Sequence, residues 1–423
     1  MRVSTNFYQF RKMLLNRLWI SLFVIAMVVG LSKFFFMGDQ LVFKEIVDAL
    51  FSSAETSFTI ALYLTGALCL WMGFMQIGEK GGAVNLLTRA VNPLFIRLFP
   101  DIPKNHPAFG SMMMNFSANM LGLDNAATPL GLKAMNQLQE INPNKDTASN
   151  AQIMFLVLNT SGLTLIPVSV LAYRSGAGSV SPSEVFLPIL FSTFFASLIG
   201  LIAVALKQKI NLLQPVILAY LGGLTSLIVG LLLFLQYNPD KISMISNVLG
   251  NMLLFGIIIL FIFLGIRKKI NVYECFIDGA KGGFEVAVKI IPYLVAILAA
   301  IGVFKASGAM DLLFTGIKSS LHVLNIQANQ LIEALPTAFM KPFSGAASRG
   351  MMIETFSTHG VDSFVAKMAA TFQGSTETTF YVLAVYFGSV GIKKTRYAAG
   401  VGLLADAAGI IAAIIMSYLF YNI

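Results

Sequence analysis

The chain alternates apolar runs with short polar loops, and the runs are of three kinds. The first kind is long and nearly free of charge: Leu18 to Met37, Ser57 to Ile77, Val185 to Leu206, Leu212 to Tyr237, Ile242 to Ile266, Val286 to Phe304 and Tyr397 to Tyr421. Runs of about twenty apolar residues are long enough to cross a bilayer as helices. The second kind, Pro107 to Met135, Ala148 to Tyr173, Leu331 to Ile353 and Phe364 to Gly388, is apolar but punctuated by Gly, Pro, Asn, Ser and Thr. Non-helical backbone survives at bilayer depth only where protein or a water-filled cavity satisfies its polar groups. These segments therefore predict re-entrant hairpins and broken helices around a site. The third kind, Val84 to Phe99 and Leu312 to Leu324, reads as helices lying at the membrane interface.

The pattern is written twice. Ala54 to Leu87 aligns without a gap on Ala280 to Leu313 at an offset of 226, sharing Phe58/Phe284, Ala61/Ala287 and Leu68/Leu294. Further on, Ser161 to Pro167 matches Gln373 to Thr379 at an offset of 212, pairing Gly162 with Gly374 and Thr164 with Thr376. Such symmetry in an apolar chain predicts a transporter-like fold with its site where the halves meet, near the midplane.

Charge sets the direction of each half. Arg2, Arg11, Lys12 and Arg17 place the N-terminus in the cytoplasm, and Ser57 to Ile77 returns to a basic segment with Lys80, Arg89, Arg97 and Lys104. Lys207 and Lys209, then Arg267, Lys268 and Lys269, and finally Lys393, Lys394 and Arg396 mark the other cytoplasmic ends, leaving the C-terminus outside. Ser57 to Ile77 and Val286 to Phe304 then run in opposite directions, which is an inverted repeat. A parallel duplication with a miscounted hairpin is the alternative. The first run is too long for a signal-peptide core and no small-residue cleavage site follows, so it is expected to stay as a helix.

Composition agrees with the membrane reading and narrows the function classes. The 423 residues are 57% hydrophobic and 12% charged, against roughly 25% charged in soluble proteins. The net charge of +9 gathers in loops without interleaved aromatics, so no nucleic-acid partner is expected. Cys69 and Cys275 give no disulfide framework, and His106, His322 and His359 have no second ligand at helical spacing. No metal and no cofactor are expected. Without a Ser-His-Asp or paired-carboxylate arrangement, an enzyme is not expected either.

Chemistry concentrates in the interrupted segments. In the first half, Asn115, Asn119, Asp124, Asn125 and Thr128 stand among apolar residues, with Asn115 and Asn119 sharing a helix face. Asn125 as a cap and Pro129 in the first turn predict a helix opening near Ala126, its free N–H groups pointing inward. Asn159, Thr160 and Thr164 surround a second break ending at Pro167. The second half answers with Lys341 to Gly350, which includes Ser344, and with Gln373-Gly374-Ser375-Thr376-Glu377. An acid at bilayer depth costs roughly 2.5–3.5 kcal/mol on insertion scales, so Glu377 and Asp406 each face a partner, a cavity or a proton path. The structural alternative for Glu377 is an ion pair with Lys341, Arg349 or Lys367.

At these residues the chain resembles a known family. Asn119 to Met135, Asn159 to Pro167 and Phe99 to Pro103 look like spore maturation protein A, whereas Gln373 to Tyr381, Gly388 to Lys394 and Pro342 to Ala346 look like spore maturation protein B. The resemblance covers Leu18 to about Lys209 and about Ile242 to Tyr421, with Leu212 to Tyr237 as a linker helix. Both proteins carry the nucleoside-recognition, or gate, domain, which resembles a repeat of the concentrative nucleoside transporters. There a Gly-x-Thr-Glu hairpin tip contacts the nucleoside, and Gly374 to Glu377 matches that short pattern. Lys341 stands where an arginine is expected, and Arg349 and Asp124 stand where small or apolar residues are usual and would compensate one another.

The expected protein is thus an all-α polytopic membrane protein of two inverted repeats with re-entrant hairpins and broken helices, resembling gate repeats. Its parts are residues 1–210, a linker helix in 211–241, and 242–423. It is expected in the cytoplasmic (inner) membrane, binding a small polar solute, nucleoside-like or a small organic anion. Asn119, Asn125, Asn159, Thr160, Thr164, Ser344, Gln373, Thr376 and Glu377 would supply hydrogen bonds, and Glu377 and Asp406 are candidates for ion or proton coupling. The lipid bilayer is its other partner, and homo-oligomerisation is left open. The competing class is a non-transporting envelope scaffold that holds a lipid or a partner protein.

Overall fold

The computed structural model describes residues 2–103, 105–122, 124–237, 242–312, 315 and 329–421. The chain is all-α. The first half contains α1 (Arg2–Met37), α2 (Val42–Gly81), α3 (Ala83–Leu98), α4 (Pro107–Met120), α5 (Asp124–Glu140), α6 (Asn150–Ser161), α7 (Val168–Gly176) and α8 (Phe186–Gln208). α9 (Pro215–Gln236) and α10 (Ile242–Arg267) lead to the second half. This comprises α11 (Val272–Ala306), α12 (Asn329–Met340), α13 (Gly345–His359), α14 (Phe364–Gly374), α15 (Thr379–Ser389) and α16 (Ala398–Tyr421). Among the described residues, five segments are long and apolar enough to cross a membrane: Trp19–Met37, Pro182–Gln208, Pro215–Leu235, Gly250–Arg267 and Ala398–Tyr421. Most of Leu312 to Leu324 lies outside the described residues.

The repeat is visible in how α2 and α11 pack. A Cβ at Gly302 would collide with Ser53 Oγ, and one at Gly279 would lie 2.6 Å from Gln76 Cβ. Gly302 stands 226 positions after Gln76, and Gly279 stands 226 after Ser53. The two contacts therefore exchange under the repeat, as residue pairs do across a two-fold axis. The helices run antiparallel, so the halves are inverted relative to one another. Gly283 sits in the same seam, where a Cβ would lie 2.7 Å from Cys69 Cα and from the Leu68 carbonyl. Small residues at such positions let backbones approach closely, which is how helices gain packing in lipid.

α8 and α16 form a second antiparallel pair. Phe191 meets Phe420 with ring centroids 6.0 Å apart, whereas at the other end Gln208 Nε2 donates to the Asn150 carbonyl and Tyr397 Oη reaches Asn150 Oδ1. Lys207 and Tyr421 thus lie at opposite ends of the pair. Near its middle, a Cβ at Gly409 would lie 3.1 Å from Ala196 Cβ. α9 is mostly exposed along its length and is tied to α3 by Tyr220 Oη donating to the Ala90 carbonyl at 2.7 Å.

The interrupted segments break as their glycines and prolines predict, with one difference. α6 ends at Gly162 in the left-handed region, and Pro167 is the N-cap of α7. α5, however, starts at Asp124, and Pro129 lies inside it instead of opening it. The first four N–H groups of a helix have no intrahelical acceptor anyway. A proline at the sixth position therefore removes a single hydrogen bond and does not set the start.

The halves are tied at both ends of the molecule. At one end Lys393 and Lys394 N–H donate to the Asp146 carbonyl at 2.8 and 2.9 Å, and Ala148 N–H donates to the Lys394 carbonyl at 3.0 Å. At the other end the tie is a side chain. Arg174, with no exposed surface, donates to the carbonyls of Pro182, Ser181 and Val361, to Ser179 Oγ and to Asp362 Oδ1, the last at 2.9 Å. Burial alone pushes the Asp362 carboxyl up. Hydrogen bonds from Ser179 Oγ and Val180 N–H and the Arg174 charge outweigh it and hold Asp362 below the ordinary carboxylate value.

Candidate functional site

The helix breaks of both halves meet inside the molecule. Glu377 N–H donates to the Thr160 carbonyl at 2.9 Å, a backbone tie from one tip to the other. The left-handed Gly162 makes the approach feasible, since a Cβ there would lie 3.0 Å from Glu377 Cγ. Within each half the second break is bonded to the first: Leu165 N–H to the Met120 carbonyl, and Phe380 N–H to the Pro342 carbonyl.

Between the tips is a cavity of about 500 Å³, within the roughly 300–1,000 Å³ of small-molecule sites. The first half lines it with Asn119, Gly122, Thr164 and the start of α7; the second adds Lys341, Gly345, Ala346, Arg349, Gln373, Thr376, Glu377 and Tyr381. The N-terminal ends of α7 and α13 open into it through Val168, Ser169, Gly345 and Ala346. A helix N-terminus carries about half a positive charge and free N–H donors, so acceptor oxygens or an anionic group are favoured there. Lys341 and Arg349 add positive charge to the wall, and Glu377 adds a carboxylate. Glu377 is exposed to the cavity, and among the described residues its carboxylate has no ion pair or hydrogen bond. Lys367, one base considered for it, pairs with Glu184 at 2.8 Å.

The sequence-predicted residues divide by depth. Asn119, Thr164, Gln373, Thr376 and Glu377 line the cavity. Asn159, Thr160 and Ser344 are buried behind its wall. Ser344 caps α13 by accepting from Ala347 N–H at 3.2 Å. Asn159 belongs to a chain of hydrogen bonds that crosses between the halves. Asn119 Nδ2 and Tyr386 Oη donate to Asn159 Oδ1, and Asn115 Nδ2 donates to Tyr386 Oη and to the Ala127 carbonyl. Thr164 Oγ1 turns to the Gly162 carbonyl. The side chains of Asn125 and Asp124 lie outside the described residues, as does any pairing of Asp124 with Arg349. Asp406 is 1% exposed in the middle of α16 and does not itself line the cavity.

Sequence reasoning did not single out Tyr381 or Tyr386, and it treated Arg349 and Lys341 as partners of an acid instead of as parts of the cavity wall. The signal for the two bases was their place in an apolar stretch, the same signal that marked Glu377. The tyrosines had none, since a lone tyrosine in a membrane helix is ordinary at an interface.

The comparisons agree with this architecture. The Gate family, described as nucleoside recognition, matches residues 61–177 and 287–393, one segment in each half. Spore maturation protein A of Bacillus subtilis (strain 168) is 38% identical over 185 residues, covering 44% of this chain and 91% of its own length. Spore maturation protein B of the same organism is 43% identical over 182 residues, covering 43% of this chain and 95% of its own length. Two antiparallel halves, each with paired helix breaks and each matched by the same family description, lead to one conclusion: this chain belongs to the Gate (nucleoside recognition) family of membrane proteins, akin to spore maturation proteins A and B.

Proposed function

We propose that this chain binds a small polar solute, nucleoside-like or a small organic anion, between the tips of its inverted halves and carries it across the cytoplasmic membrane. In this reading the N-terminus is cytoplasmic and the C-terminus outside. The observation that carries it is the cavity where helix breaks from both halves converge, with the Glu377 carboxylate, unpaired among the described residues, facing it. Broken helices around a midplane site are the usual construction of secondary transporters, whose half-helix N-termini point at anionic substrate groups. In this chain Glu377, Gln373 and Asn119 would receive the donors of the solute, and Arg349 with the α7 and α13 N-termini its acceptors.

Thermal unfolding of the detergent-purified chain, with nucleosides, nucleobases and small carboxylates, tests the reading beside Glu377→Gln. A ligand that binds only the native state at a hundred times its Kd stabilises it by about 2.7 kcal/mol. The expected result is a saturable rise for one solute class, lost in the variant, followed by uptake of that solute into proteoliposomes. If no solute shifts the protein and proteoliposomes move none of the panel under an ion gradient of either sign, the envelope scaffold replaces the transporter.

A further inference from the structure

A second polar cluster lies behind the tip of the second half, and among the described residues its oxygens have no hydrogen-bond partner. Neither oxygen of Asp406 accepts a hydrogen bond among the described residues, and no base stands within ion-pair distance. The hydroxyls of Thr160, Thr376 and Thr379 are buried and unpartnered as well. A lone buried hydroxyl is unfavourable and a bare buried carboxylate far more so, so orphans gathered in one place require an account.

α16 brings them together. Gly402 and Gly409 lie one turn before and one turn after Asp406 on the same helix face. A Cβ at Gly402 would lie 2.8 Å from Thr379 Cγ2 and 3.5 Å from Thr160 Cγ2. One at Gly409 would lie 2.5 Å from Thr376 Cγ2 and 3.0 Å from the Ser375 carbonyl oxygen. The glycines thus let both hairpin tips close on the Asp406 face. The hydroxyls of Thr376 and Thr379 stand near enough to act on the carboxylate yet outside hydrogen-bond geometry. Lys341 and Glu377, of opposite sign, are the charged groups whose fields reach it.

We propose that Asp406, with the hydroxyls of Thr376 and Thr379, binds one monovalent cation, an alkali ion or a proton. Oxygen donors suit a hard cation, and one carboxylate balances one charge. A divalent ion would leave an uncompensated charge at bilayer depth, where charge is expensive. The site is single, because Phe194 stands at the corresponding place in the first half. It does not require the solute reading: only Thr376 belongs to both places. Occupation would hold the 375–379 tip against α16, and thereby set the position of Glu377.

The test is thermal unfolding of the full chain in detergent without any solute, so its outcome is separate from that of the solute panel. Choline chloride is replaced stepwise by sodium or potassium chloride at constant ionic strength. In parallel, pH is varied from 5 to 9 without alkali ion, above the range in which Asp362 titrates. The wild-type midpoint is expected to rise saturably with one cation or with falling pH, and that response is absent in Asp406→Asn. An alkali-ion response names the metal ion as occupant, and a pH response alone names the proton. Thr379→Val keeps the carboxylate and the volume and is expected to weaken the apparent affinity about tenfold, the effect of losing one ligand worth about 1.4 kcal/mol. A wild type that responds to neither, or an Asp406→Asn that responds as wild type does, overturns the proposal. Should Asp406→Asn not fold, an unchanged affinity in Thr379→Val overturns it.

Discussion

Arg174 and Asp362 show how much a single pair can carry when its surroundings are complete. The guanidinium is fully buried, yet its donors are met by carbonyls, a hydroxyl and the Asp362 carboxylate, so the charge is not left bare. Because the folded value of Asp362 lies below its unfolded value, its contribution is fully present above the unfolded value. It is lost as pH falls through the folded one. Asp362→Asn is expected to lower stability by about 1–2 kcal/mol near neutrality, a charge-assisted hydrogen bond discounted for partial exposure. In unfolding scans the gap to wild type should hold down to about pH 5 and close below about pH 4, given an unfolded carboxylate near 3.9. A gap independent of pH would show that the carboxylate charge does not matter there. The sequence held no sign of this pair, since a base and an acid in distant loops have no local pattern. Gln373, Thr376 and Glu377 were legible because polar groups in an apolar stretch are costly. Ser344 was legible as polar but not as a cap, since a hydroxyl before a helix serves either a ligand or the backbone.

At the scale of elements, the breaks were readable because Gly and Pro act on the backbone directly. Gly162 ended α6, and Pro167 preceded α7, through their own torsional limits. The start of α5 was misplaced because proline tolerance extends past the first turn when only one bond is lost. Packing was legible only as small residues without partners: nothing in the local sequence says that Gly283 meets Cys69 while Gly222 meets nothing within 4 Å. Gly283→Leu should therefore destabilise by about 1–3 kcal/mol or more, since its Cβ would strike backbone that no rotamer change can move. Gly222→Leu serves as the control and should stay within about 0.5 kcal/mol. Equal unfolding midpoints for the two variants would refute close packing of α2 on α11.

For the whole molecule, the offset of 226 and the loop charges together implied inversion, and the α2–α11 contacts show it in the geometry. Lys80 lies in the last turn of α2 and Lys305 in the last turn of α11, one position apart at the offset of 226. Single cysteines at Lys80 and Lys305 should react with a membrane-impermeant maleimide from opposite sides of intact vesicles. Labelling from the same side would return the chain to a parallel duplication.

The contacts that exchange Ser53–Gly302 with Gln76–Gly279 are of the kind that normally join two separate copies of a protein. Here α9 and α10 connect the partners covalently, so dilution cannot separate them. An association that would otherwise depend on concentration becomes an internal step of folding, with a stoichiometry of one to one fixed by the ribosome. Each half is then free to diverge, as Asp406 and Phe194 have, because the surface it must fit is the other half's and not its own.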